Sequence, residues 1–238
     1  MNRLWVLRLV PDVASGRWLA ALAAFTIMAA ALASSGELFS SDGGFSGYVE
    51  LFFCVIVAYI IPVFHYITAR TEQDFDAVSQ ILDLDDEERA SLRLGITQKS
   101  WRWVLLNLSI AVSLWMLQSW LLAGSGAIAG AYTRGLEQAV QASAPLVVWV
   151  TMTCVIHALI DNAVLFRRLV KRVAVDIYDS RVLKPFGSMA VSSILAVVGA
   201  QASFSIMWLG DTTDAWTTIP GLIPTTIALA YLFFAPVW

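Results

Sequence analysis

Charge is scarce in this chain. Asp, Glu, Lys and Arg make up only 14% of its 238 residues, while 58% are hydrophobic. Apolar stretches of about eighteen residues or more therefore recur, which is the transmembrane signature. The net charge of −3 decides little, because where charges sit matters more here than their sum. Cysteine is nearly missing. Cys54 and Cys154 are the only two, and both fall inside predicted spans. Disulfides need an oxidising aqueous compartment and close geometry, so both cysteines read as apolar packing residues. Catalytic signatures are missing as well. No GxSxG, HExxH, CxxC or phosphate-cradling glycine loop occurs. No lysine lies inside a predicted span, which argues against a retinal Schiff base. The basic residues fit membrane anchoring, so nothing supports nucleic-acid binding.

What is present is a series of apolar runs, predicting an all-α, polytopic membrane protein forming one domain. Six spans are expected, at about 18–38, 48–68, 101–127, 145–166, 186–209 and 219–238. The chain is organised around the fourth. Its apolar run holds His157, Asp161 and Asn162 and stops at Arg167, Arg168, Lys171 and Arg172. Ionisable groups within a span are costly and usually face protein or water. Pro145 suits the first turn of that span. The first span follows Arg3 and Arg8 and reads as a retained signal-anchor. Residues 4–10, LWVLRLV, suit a short interfacial segment ended by Pro11, or equally a frayed tail. Pro62 is expected to kink the second span.

Residues 70–100 form the largest polar stretch. TEQDFDAVSQIL reads as a helix continuing span two, with Phe75, Val78 and Leu82 on one side. Asp85 and Glu88 resemble a capping box opening a second short helix. A helical cytoplasmic hairpin is expected, as a solvated connector or a regulatory element. Trp101 and Trp103 suit an interfacial belt. The last span ends at FFAPVW with no basic anchor behind it, so the natural chain is expected to continue past Trp238.

The positive-inside rule orients the chain. Arg3, Arg8 and Arg17 precede span one. Arg70, Arg89, Arg93, Lys99 and Arg102 follow span two, and Arg167, Arg168, Lys171, Arg172, Arg181 and Lys184 follow span four. Fourteen of the fifteen basic residues thus share one side, and Arg134 alone takes the other. An inner-membrane protein with both termini in the cytoplasm is expected.

The intramembrane polar candidates are His65, Asn107, Gln118, His157, Asp161, Asn162 and Gln201. His157 and Asp161 are four residues apart and share a helix face. They can form a proton relay, or a hydrogen-bonded clamp with Asn107, Gln118 or Gln201. Asp161 is expected to face the bundle, with His157 as first partner and Arg167 or Arg168 as second. Ser188, Ser192, Ala196, Gly199, Ala200 and Ser203 make a small-residue face on span five, for close helix packing or for lining a narrow pore. No cofactor or metal is expected.

The first functional expectation is a non-catalytic inner-membrane module that scaffolds partners or transmits a signal to cytoplasmic segments. Its partners would be the lipid bilayer and a second copy or another membrane protein. Two alternatives stand beside it. One is a channel or transporter for an ion or small solute. The other is a haem- or metal-binding redox subunit using His65 and His157.

Overall fold

The computed structural model describes residues 2–13, 15–36, 38, 47–82, 84–123, 130, 132, 135–172, 180–209 and 215–234. In chain order its elements are β1 (Asn2–Arg3), α1 (Trp5–Arg8), α2 (Gly16–Ser34), α3 (Tyr48–Ile81), α4 (Asp86–Thr97) and β2 (Gln98–Lys99). There follow α5 (Trp101–Ala123), α6 (Leu136–Val170), α7 (Ser180–Ser203), a 3-10 segment Phe204–Leu209 and α8 (Ala215–Phe234).

The fold is all-helical apart from one small pairing. β1 and β2 run antiparallel, with Asn2 opposite Lys99 and Arg3 opposite Gln98. Leu4 N donates to Thr97 O at 2.9 Å and extends the contact. The start of the chain is thereby tied to the exit of α4.

Five helical stretches are long and apolar enough to cross a membrane: Gly16–Ser34, Tyr48–Ile81, Trp101–Leu121, Gln138–Val170 and Lys184–Leu209. The last helix, α8, contributes the shorter apolar segment Leu222–Leu232. Outward-facing Trp18, Leu22, Ile27, Trp101, Trp120 and Leu195 are largely exposed. Apolar side chains facing out along helices of this length suit lipid rather than water.

The centre of the bundle is α3, which packs against α1, α2, α4, α6, α7 and the 3-10 segment. Phe52, Ile56, Ile60, Phe64 and Ile67 recur every three or four residues along it, and all are buried. That spacing keeps one face turned to the core. The helix runs unbroken through Pro62 and past the apolar run, so that Phe75 and Val78 are buried on its polar extension. Asp85 caps α4, its Oδ1 accepting from Glu88 N at 2.6 Å.

Several boundaries differ from the sequence-based expectation. Helix α6 begins at Leu136, so Pro145 lies in its interior rather than in its first turn. Gly135, at φ 139°, precedes the helix, and LEQAVQASA carries it forward to Pro145. A proline inside a helix removes one backbone bond, which the packed bundle tolerates. Pro185 likewise lies inside α7 rather than before it. Residues 4–10 are packed against the bundle rather than frayed. Leu4, Val6, Leu7 and Val10 are all buried, because the β1–β2 pairing holds α1 against the bundle. Residues 40–46, 124–129 and 173–179, Arg134, the loop with Asp211 and Asp214, and 235–238 lie outside the described residues.

Candidate functional site

Two helices and one short strand bring five polar side chains together. On α6, His157 and Asp161 are one turn apart. On α5, Trp103 and Asn107 are one turn apart, and Lys99 on β2 precedes Trp103 by four residues. Helical periodicity sets the His157–Asp161 and Trp103–Asn107 pairs facing each other, and β2 adds Lys99 at the start of α5.

Asp161 is the hub. Its Oδ2 accepts from Lys99 Nζ at 2.8 Å and from Trp103 Nε1 at 3.0 Å. Its Oδ1 lies 3.6 Å from His157 Nε2. The Lys99 side chain is only 9% exposed, so its charge is compensated almost wholly by this contact. The Trp103 ring stacks on the His157 ring with centroids 4.9 Å apart. The Lys99 ammonium lies 5.7 Å from the Trp103 centroid, within cation–π range.

Asn107 closes the other end and is fully buried. Its Nδ2 donates to Trp103 O at 2.8 Å. His157 Nδ1 lies 3.0 Å from Asn107 Nδ2 and 3.1 Å from its Oδ1. The amide offers a donor and an acceptor to one ring nitrogen, so it satisfies either imidazole tautomer. When Nδ1 accepts, the ring proton sits on Nε2 and points at Asp161.

The remaining candidates fall elsewhere. Asn162 is buried beside the cluster in the sequence. Gln118 Oε1 accepts from Trp149 Nε1 at 2.6 Å, a second α5–α6 bridge farther along the helices. Gln201 donates to Thr225 and Thr226, joining α7 to α8. His65 Nδ1 accepts from Arg17 Nε on α2 at 3.4 Å, while His157 meets Asn107 on α5. Among the described residues no group of three or more His, Cys, Asp or Glu is placed to hold a metal ion.

The small-residue face of α7 meets α3. Tyr59 donates from its hydroxyl to Ala196 O at 3.2 Å. A Cβ on Gly199 would lie 2.0 Å from that hydroxyl oxygen and 2.7 Å from Tyr59 Cζ. Ala200 and Ser203 are buried, and Ser203 Oγ donates to Ala200 O. Ser192 Oγ donates to Met189 O, and Ser188 Oγ accepts from Arg70 Nε at 3.0 Å.

Two site residues escape a reading of the sequence. Lys99 counts there only as one of the basic residues after span two, yet it takes the place expected for Arg167 or Arg168 beside Asp161. Trp103 suits an interfacial belt by position, but it turns inward, while Trp101 stays exposed. The four-residue spacing of Lys99, Trp103 and Asn107 is the one local signal that groups them.

Five helices are long and apolar enough to cross a membrane and turn apolar faces outward, the features of a multi-pass α-helical membrane protein. No protein family, no curated protein and no solved structure matches the chain.

Proposed function

We propose that the chain is a non-catalytic module that transmits a signal between its membrane spans and the helical hairpin at about 70–100, and through that hairpin to a partner. In this reading it crosses the inner membrane six times, α8 supplying the sixth span. The hairpin and both termini then face the cytoplasm. The distribution of fourteen of the fifteen basic residues supports that orientation. So does the β1–β2 pairing, which ties the start of the chain to the hairpin exit. A second copy, or another membrane protein, meets the outward apolar faces.

The observation that carries the reading is the Lys99–Asp161 ion pair. Lys99 belongs to the end of the hairpin, and Asp161 belongs to a span. Any rotation or shift of α6 therefore acts on the hairpin through a half-buried charged contact. Within the hairpin α4 is fastened to the extension of α3, and it is also tied to the end of α6. Arg93 pairs with Asp76 at 3.2 Å, and Arg89 donates to Ser79 O at 3.1 Å. Arg172, just past α6, pairs with Glu88 on α4.

The test is hydrogen exchange across residues 86–97 in lipid nanodiscs, with a flux assay on the same protein in liposomes. Asp161→Asn and Lys99→Met are expected to loosen exchange in α4, with no ion or proton flux in parent or variants. Unchanged exchange, together with a flux that Asp161→Asn abolishes, would replace this reading by a transporter.

A further inference from the structure

A groove of about 670 Å³ runs between α3 and α7. Its walls are apolar along most of their length, with Val63 and Ile67 from α3 and Val191 and Leu195 from α7. Val191 and Leu195 are more than half exposed, so the groove is open along its outer side. At one end the character changes. Arg70, just past the apolar run of α3, and Lys184, just before that of α7, both line it. The two cations therefore sit where both spans reach the same boundary.

Their surroundings leave positive charge at that end. Arg70 Nε donates to Ser188 Oγ at 3.0 Å and lies 3.7 Å from Asp74 Oδ1. Asp74 is buried behind the groove and is not among its lining residues. The terminal nitrogens of Arg70 have no hydrogen-bond partner among the described residues. Lys184 is exposed and acts on Asp74 only through its charge. Among the described residues, Arg70 and Lys184 face one buried carboxylate, Asp74, a surplus of positive charge that suits a phosphodiester.

We propose that this groove binds an anionic phospholipid from the bilayer. The headgroup phosphate lies between Arg70 and Lys184, and one acyl chain lies along Val63, Ile67, Val191 and Leu195. Basic pockets between spanning helices suit anionic headgroups, and an open apolar wall suits a chain. The charge at one end excludes a purely apolar occupant as the best fit. The open side excludes a ligand that must be sealed from lipid. The inference rests on the membrane reading, which alkaline extraction of a membrane fraction tests separately.

The experiment is native mass spectrometry of the detergent-purified full chain. It is titrated with phosphatidylglycerol, with phosphatidylcholine of the same chains, and with glycerol phosphate. Phosphatidylglycerol is expected to be retained in preference to both. Lys184→Gln should weaken that retention about fivefold, and Arg70→Gln with Lys184→Gln about twenty-five-fold, from the worth of one basic residue at an anionic surface. Arg102→Gln, an exposed basic change near another helix start, should leave retention unchanged. Removing Arg70 also exposes Asp74 to an unpaired state and can harm folding. Lys184→Gln keeps the Arg70–Asp74 contact and decides the matter alone in that case. Equal retention of the two lipids, equal binding of glycerol phosphate, or an unaltered preference in Lys184→Gln each overturns the proposal. A chain released by alkaline extraction defeats the membrane reading instead.

Discussion

The α5–α6 seam and the α3–α7 seam hold helices together by opposite means. The first is chemical. Asp161 gathers Lys99, Trp103 and His157, and Asn107 completes the set. The second is steric. Gly199 and Ala196 let α7 approach Tyr59 so closely that a single added carbon has no room. A chemical seam depends on which atoms donate and accept, and it tolerates a change of shape. A steric seam depends on volume, and it tolerates a change of polarity. Within lipid, where apolar burial between helices gains little, both means are needed.

The largest effect should come from bulk in the steric seam. Gly199→Leu should cost about 3 kcal/mol, because the Tyr59 ring must leave its bond to Ala196 O or the helices must part. Thermal melting in detergent and assembly by size exclusion would show it. A variant that melts and assembles like the parent would mean the seam is not tight. Ala200→Leu should cost about 2 kcal/mol for the same reason.

Next comes a break in the chemical seam. Asp161→Leu should cost about 2 kcal/mol by leaving the buried Lys99 ammonium without its acceptor. Lys99→Met combined with Asp161→Leu should recover most of that loss, since no charge then lacks a partner. Failure to recover would assign the loss to the Trp103 and His157 contacts instead. The milder Asp161→Asn keeps shape and can still accept from Trp103. It should cost about 1 kcal/mol, read by the same melt. The smallest effect should be Tyr59→Phe, at about 0.5–1 kcal/mol, because it removes one hydrogen bond and leaves the ring in place. If Tyr59→Phe costs more than Gly199→Leu, the division into chemical and steric seams is wrong.

The helical class is legible in the sequence, because uninterrupted apolar runs and scarce charge leave few other structures. The face shared by His157 and Asp161 is legible too, since four residues make about one turn. The pairing of Asp161 with Lys99 is not, because 62 positions separate them and any of several cations was available. The inward turn of Trp103 depends on that pairing and is hidden with it. The start of α6 is obscured by Pro145, whose residue type suits a helix start although the packed helix carries it inside. The β1–β2 pairing involves two residues on each side, too few for a period to show.

The continuity of α3 has a mechanical consequence. Its 34 residues extend about 51 Å at the helical rise, against a hydrocarbon core of about 30 Å. About 20 Å of helix exceeds that thickness, and a tilt of ~10° swings the end of such an arm through about 3–4 Å by the same geometry. Because Arg93 and Arg89 fasten α4 to that arm, α4 is carried with it. Lys99, at the far end of α4, is meanwhile moored to α6. The hairpin is thus held at one end by α3 and at the other by Asp161, so a lean of either helix strains the contacts at both ends.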